Sequence, residues 1–563
     1  MLICQCIPYN ARDPTQTDER NSLTDGENRI KIRYPLRGLG VAGNIDRDTE
    51  SNSSLYDACF LLQKVNNAIS CQILASFSLT EIAHGSDVRL MRTTATYDPA
   101  HKQFVINTPD FEAAKCWVGN LGRTCTHTLL FAQLITPDGT NHGLHGFVVP
   151  IREPDTLETY PGLVVGDMGE KIGVNGIDNG FIMFNQYRIP RENLLNRTAD
   201  VTEEGVYESS FSEPSRILGA ALENLSAGRI GIMQESCCSI ASAVSIAVRY
   251  AATRAQFGDS GREIPLLDYE LHVRILCVML HWVDDLSEAV SEIHAMVSCS
   301  KPALTWAVLD AAQQCREACG GHGYLKAANL GDIRNNHDPT VTYEGDNNVL
   351  QQQAGNWLLR QYELVLAGGA VDSPLGTVTF LNDFRQILGK KFDCHSTEEL
   401  KTPECELWLI ISTYKWLICW LLKETHEKYE AEIAKGTSKF HAKSKVQVSK
   451  KSKNHENYFP RLFTLYGLWS LERHLLEWYV GGFAGPGAAA LARRAALEAA
   501  AALRPDAVAV VDALAPTDFV LNSVLGRSDG KLYQNMQKAF FSHPGAFERA
   551  PWWREAVAPK AKL

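Results

Sequence analysis

CREACGGHGYLKAANLGDIRNNHDPTVTYEGDNNVLQQQ, residues 315–353, is the stretch on which the reading of the fold turns. CGGHGY, from Cys319 to Tyr324, places three glycines at the end of a helical run, so the backbone there can lie close against a ligand. Glu344 follows within TYEGDNNV, with Tyr343 before it and Gly345 behind it. A carboxyl group in a partly apolar, glycine-flanked turn has its pKa raised toward neutrality, which suits removal of a proton from carbon at physiological pH. Taken separately, each element also reads as a plain loop and a plain helix N-terminus.

Outward from this stretch, 563 residues give room for several domains at about 150 residues each. With 45% hydrophobic and 21% charged residues, the chain reads as globular. A net charge of −10 argues against broad nucleic-acid or anionic-membrane binding, so an anionic substrate must meet a local basic cluster. Fifteen cysteines without CxxC spacing suggest reduced thiols, and Cys315, Cys319 and His322 make a poor metal set. The opening MLICQCIPYNARD shows no apolar leader. LWLIISTYKWLICWLL, residues 407–422, is shorter than a membrane span and carries Lys415 inside it, so it reads as a buried helix. The last three residues, Ala561, Lys562 and Leu563, form a conservative variant of the peroxisomal address SKL.

In chain order, residues 1–56 are polar and without helical period, and LYDACFLLQKVNNAISCQIL is a short helical pattern. From Ser76 to Arg197 the texture is β: TTATYDP, KQFVINTP, TLLFAQLITPDG, GLHGFVVPI and GFIMFNQYRIP are apolar or alternating runs between Pro, Gly and Asp turns. They predict a compact barrel or sandwich. Alanine-rich helical periodicity returns at Ser215 and closes at Gly258. Further helices are predicted from Leu266 to Leu325, Val349 to Ala367, Asp383 to Leu388, Glu404 to Ile433, Tyr458 to Val480 and Gly487 to Leu514. The run Lys439, Lys443, Lys445, Lys450, Lys451 and Lys453 reads as a solvated loop.

CGGHGY followed by TYEGDNN resembles the acyl-coenzyme A oxidases, peroxisomal flavoproteins of the acyl-coenzyme A dehydrogenase superfamily. The resemblance implies a multi-domain α+β, acyl-CoA dehydrogenase-like fold. A central β-barrel flavin-binding domain (76–200) would be followed by two helical-bundle domains (210–367 and 370–563), behind an atypical, truncated N-terminal segment (1–75). It implies FAD as cofactor and a fatty acyl-CoA and oxygen as substrates. In SLTEIAHGSDVRLMRTTATYDP, Thr80 matches a residue contacting the flavin ring; read plainly, it is an N-cap before Glu81. In DFEAAKCWVGNLGRTCTH, Gly119 matches a flavin-contacting glycine, or else belongs to a β-turn. RAQFG matches a turn in which Arg254, Gln256 and Phe257 clasp the flavin of a neighbouring subunit, with Gly320 and Gly321 beside the same dinucleotide. That sharing implies a homodimer.

Arg229 stands where superfamily members touch the coenzyme A moiety, or else pairs with Glu223 or Glu235. Glu344 matches the catalytic base, which removes the α-proton of the thioester while the β-hydrogen leaves to flavin N5. The resemblance implies that the product would be a trans-2-enoyl-CoA and that reoxidation by oxygen would give hydrogen peroxide. EGDNN in place of EGT, the helical region after Gly369 and the AKL tail favour an oxidase over a dehydrogenase. TPDFEAAKCWVGNLGRT resembles the oxidases that accept 2-methyl-branched chains. Two other readings stay open, an impaired member serving as a dimer partner and a flavin-free helical scaffold.

Overall fold

The computed structural model describes residues 73–210, 224–257, 262–269, 290–392, 403–446 and 474–549, residue 486 excepted, with isolated positions outside these ranges. The polar N-terminal segment, the Gly258 helix stop, residues 270–289 of the helix predicted from Leu266 and the AKL tail lie outside the described residues. The chain forms two compact units: residues 1–169 with 177–221, and 170–176 with 222–563.

The first unit is built on β1 (Ala75–Ser78), β2 (Thr94–Asp98), β3 (Gln103–Asn107), β5 (His127–Ile135), β6 (Asn141–Pro150) and β9 (Tyr187–Pro190), which form one sheet. A second sheet holds β4 (Lys115–Gly119), β8 (Asn179–Phe184) and β7 (Leu163–Asp167). Alternation explains the faces: in TATYD and QFVIN every second residue is buried, which puts Ala95, Tyr97, Phe104 and Ile106 on the core side. β5 is the central strand, paired in parallel with β1 and β2 and antiparallel with β6. It therefore reads as a nearly continuous apolar run. The two sheets share one core, in which Val118, Ile182 and Phe184 of the second join Phe104, Leu130 and Phe147 of the first. This is the curled β domain expected from the texture.

Residues 80–83 run antiparallel to 112–116 through Cys116 N to Thr80 O at 3.0 Å and Ile82 N to Ala114 O at 3.1 Å. A fully buried ion pair locks this edge, with Lys115 Nζ 3.0 Å from Glu81 Oε1. Burial would raise the Glu81 carboxyl, but Lys115 and the amides of Arg92 and Thr93 outweigh it and hold the group ionised.

The second unit is helical. α1 (Asn224–Thr253) packs along α2 (Val290–Ala318), and α3 (Leu330–His337) and α4 (Asn347–Leu366) pack against them. Small residues permit the close approach: Ala243, Ala247, Ala251, Ala311 and Ala312 are all buried in the common core. α1 is long and apolar enough to cross a membrane by composition, yet 61% of its most apolar window is buried inside the protein.

α1 ends at Thr253, before the predicted stop. There the chain leaves the helix for β12 (Ala255–Gln256), which pairs with β13 (Ile264–Pro265) and so takes up the backbone groups a longer helix would have used. Downstream, α5 (Phe384–Leu388) and α6 (Pro403–Ala434), which contains the 407–422 run, gather Trp416, Leu417 and Leu422 with Phe384, Trp478 and Phe483. The lysine run begins as a helix instead of a loop. In α7 (Lys439–Val446), Ala442 and Val446 lie one turn apart and are buried with Tyr429, while Lys445 Nζ reaches Glu432 at 2.6 Å. Lys450, Lys451 and Lys453 lie outside the described residues. The second unit also includes α8 (Leu475–Val480), α9 (Gly487–Leu503), α10 (Ala507–Leu514) and α11 (Leu532–Phe541).

Candidate active site

Glu344 lies in the turn joining α3 to α4, in a backbone conformation that non-glycine residues rarely adopt: φ is +55° at Glu344 and +104° at Gly345. A left-handed non-glycine residue costs about 1–2 kcal/mol and persists where its surroundings over-determine it. Here three consecutive carbonyls are held by two buried cations. Arg229 Nε of α1 donates to Glu344 O at 2.8 Å. Lys301 Nζ of α2 donates to Tyr343 O at 2.9 Å and to Gly345 O at 2.8 Å. Lys301 gives its third hydrogen to Asn347 Oδ1 at 3.0 Å. The Asn347 amide is oriented by Nδ2 donating to Thr305 Oγ1 at 2.9 Å, and Thr305 Oγ1 donates to Lys301 O at 2.8 Å. Asp346 then caps α4, accepting from Asn348 N and Val349 N.

The Glu344 carboxylate rests on the α1 backbone at Gly228. A Cβ built on Gly228 would stand 2.5 Å from Oε2 and 2.8 Å from Oε1. Among the described residues, Glu344 Oε2 and Arg229 Nη1 are buried with no hydrogen-bond partner. Burial raises the Glu344 carboxyl above its ordinary 4.5, and the charges of Arg229 and Lys301 oppose that rise. The same burial brings the Lys301 ammonium down to about 8 and lowers Arg229. Beside them, Tyr343 OH donates to Glu235 Oε2 at 3.3 Å. Glu235 is thus engaged with Tyr343, and Arg229 binds the Glu344 carbonyl in place of that carboxylate; Glu223 lies outside the described residues.

A second cluster in the same unit joins the two ligand-binding turns read from the sequence. Tyr250 OH, at the end of α1, lies 3.0 Å from Nδ1 of His322 in the glycine turn. Arg254 follows one turn later, its Nη1 donating to Tyr533 OH of α11 at 3.0 Å. Gln256 Nε2 donates to Ala255 O, and its own carbonyl accepts from Tyr269 OH. Phe257 is 79% exposed at φ +49°. Gly320, at φ +56°, and Gly321 have no atom within 4 Å of a built Cβ. In the β-rich unit, Thr80 is half-buried beside β4 with no helix starting at it, so the plain N-cap reading does not hold. Gly119 closes β4, paired with Asn179, and a Cβ there would meet only Ile177 at 4.0 Å. Within the helical unit, the open backbone at Gly320 and Gly321 and the exposed Phe257 ring have room for a flat ligand such as part of a flavin dinucleotide.

Sequence reasoning missed Gly228, Lys301 and Asn347. Two of them left a trace: Gly228 is a glycine inside a helix, where it is disfavoured, and Lys301 is the one cation in the small-residue run SCSKPALTW.

Residues 76–187 match the family model "Acyl-CoA dehydrogenase, middle domain", residues 223–283 and 281–359 match "Acyl-CoA oxidase, C-alpha1 domain", and residues 443–562 match "Acyl-CoA oxidase". Peroxisomal acyl-coenzyme A oxidase 3 of Homo sapiens is 41% identical over 549 residues, covering 88% of this chain and 78% of its own length. Acyl-coenzyme A oxidase acox-3 of Caenorhabditis elegans is 34% identical over 536 residues, covering 85% and 77%. Among solved structures, Arabidopsis thaliana acyl-CoA oxidase 1 superposes with a TM-score of 0.79 at 28% identity, covering 88% of this chain and 81% of that one. Acyl-CoA oxidase-2 of Caenorhabditis elegans, bound with FAD, ascaroside-CoA and ATP, gives 0.76 at 26%, covering 89% and 81%.

The chain belongs to the acyl-CoA oxidase family, within the acyl-CoA dehydrogenase superfamily. It is therefore an enzyme, a flavoprotein using an FAD-type cofactor, acting on acyl-CoA with oxygen as oxidant.

Proposed function

We propose that Glu344 is the base that removes the α-proton of a fatty acyl-CoA, giving the trans-2-enoyl-CoA. The observation that carries this reading is the Glu344 carboxylate itself. It is half-buried with Oε2 enclosed and unpaired among the described residues, raised in pKa, and set in a left-handed turn by Arg229 and Lys301. The enzyme acts in peroxisomal fatty acid oxidation.

FAD is the cofactor, with Thr80 and Gly119 of the β-rich unit and Arg254, Gln256, Phe257, Gly320 and Gly321 of the helical unit as its contacts. Bound there, FAD would supply the acceptor for the β-hydrogen, leaving as hydride with both electrons of its bond, and would pass those electrons to oxygen, which with two protons gives hydrogen peroxide. Glycines 119, 320 and 321 keep the main chain open to that ligand, and the planar fork of Arg254 suits a diphosphate. Arg229 has the charge to meet the coenzyme A portion, and Nη1 remains available for it. The RAQF carry-over further implies a homodimer, Arg254, Gln256 and Phe257 serving the flavin of the neighbouring subunit. The β4 stretch favours 2-methyl-branched chains. Peroxide release measured across straight and 2-methyl-branched acyl-CoA esters tests both activity and preference. No peroxide from any of them would overturn the reading in favour of an impaired partner.

The pH dependence follows from the sign of the Glu344 shift. The base works only when ionised, and burial raises its pKa above 4.5, so kcat/KM falls as pH drops through that raised value. A profile flat down to the ordinary glutamate range would contradict the assignment.

The tail Ala561-Lys562-Leu563 engages the peroxisomal import receptor. Deleting those three residues is expected to redistribute the protein to the cytosol, read by fluorescence of a tagged chain. Unchanged import would remove the tail as the address.

A further inference from the structure

Lys301 is more than a structural cation. Resting on the assignment of Glu344 as base, we infer that Lys301 is a positioning residue for the reaction, its ammonium fixing the peptide groups on both sides of Glu344 so that the carboxylate stays aimed over Gly228. Nζ faces three acceptors, the carbonyls of Tyr343 and Gly345 and Oδ1 of Asn347, at 2.8 to 3.0 Å. An ammonium has three hydrogens and matches them one to one. A neutral amine has two hydrogens and a lone pair, and that lone pair would have to face one of the three oxygens. Asn347 cannot relieve the conflict by turning its amide, because Nδ2 is committed to Thr305 Oγ1, which itself donates to Lys301 O.

Loss of the proton therefore releases a carbonyl adjoining the left-handed residue or the Asn347 amide behind it. Arg229 holds only the carbonyl of Glu344 itself and cannot substitute for either neighbour. Burial brings the Lys301 ammonium down to about 8, within reach of the alkaline side of an activity profile. The charges acting on it are those of Arg229 on α1 and of Asp346 and Glu344 in the loop; other titratable groups on these elements include Tyr343, bonded to Glu235 of α1, His294 two turns back on α2, and His337 on α3. His337 is held neutral above about 4 by its burial. It does not charge in the window where Lys301 does.

The test is flavin reduction by a saturated acyl-CoA, followed anaerobically across pH with the flavin-loaded enzyme. The native rate is expected to fall as pH rises through about 8. Lys301→Met, which keeps the chain length and removes the donors, is expected to lose about 10²-fold in kcat with KM changed by less than about 3-fold, as for a base displaced by about an ångström. Asn347→Leu leaves two acceptors, which a neutral amine can satisfy, so its alkaline limb should flatten relative to its own optimum. A purely structural lysine would not produce that difference.

Native kcat in folded Lys301→Met would overturn the inference. So would an alkaline limb in Asn347→Leu identical to the native one. Should Lys301→Met fail to fold, the native and Asn347→Leu profiles still decide the matter. The base assignment is judged separately: an active Glu344→Gln enzyme sinks both readings, whereas inactive Glu344→Gln beside fully active Lys301→Met sinks this one alone.

Discussion

Glu344→Gln is expected to bind flavin and acyl-CoA normally and to turn over about 10³-fold more slowly than the native enzyme, within the range a positioned general base contributes. Glutamine is isosteric with glutamate, so the side chain can still rest against Gly228. The clamp on the loop acts through the carbonyls of residues 343 to 345 and does not involve the carboxylate. What the substitution removes is basicity alone. Peroxide release under air and bleaching of the visible flavin band under anaerobic conditions should fall together while the band itself remains. Retention of more than a few per cent of native turnover would exclude Glu344 as the base.

Gly228→Ala should separate stability from activity. Alanine is favoured over glycine in a helix interior by about 0.5–1 kcal/mol, and Gly228 is in α1. The new methyl would meet mainly the Glu344 carboxylate, at 2.5 to 2.8 Å. The carboxylate is the free end of a side chain, so it moves aside with little cost to folding. Its displacement by about an ångström is what chemistry cannot tolerate, and kcat should drop about 10²-fold. The expected variant melts at or above the native temperature, holds its flavin and reacts slowly. A variant that melts lower and reacts at the native rate would show that Glu344 does not work from its observed position.

Much of the fold was legible because period and punctuation carry it. TATYD and QFVIN alternate as half-buried strands do, and α4 and α6 fall where apolar periodicity placed them, while α2 fills only part of the run read from Leu266, whose first residues form a 3-10 turn. The end of α1 was not legible, because a two-stranded pairing of β12 with β13 takes over the backbone three residues before the glycine. The lysine run misled for a related reason. Ala442 and Val446 are too few to show a period, yet one turn of burial against Tyr429 suffices for a short helix.

At the site, Glu344 and Arg229 could be read because their letters sit in recognisable surroundings. Lys301 lies 43 residues ahead of Glu344, and only the packing of α2 behind the loop brings its ammonium to the carbonyls flanking that residue. Gly228 acts through an absent atom: a glycine inside a helix marks the position, but not the carboxylate that rests on it. Such contributions become visible only once distances are known.

Proton removal can be isolated from oxidation by replacing the β-carbon of an acyl-CoA with sulfur, which leaves an α-hydrogen to abstract and no β-hydrogen to transfer. With this thioester in deuterated water, the native enzyme should catalyse incorporation of deuterium at the α-carbon, and Glu344→Gln should show no exchange above the uncatalysed rate. Exchange by Glu344→Gln at the native rate would contradict the account, since some other group would then be taking the proton.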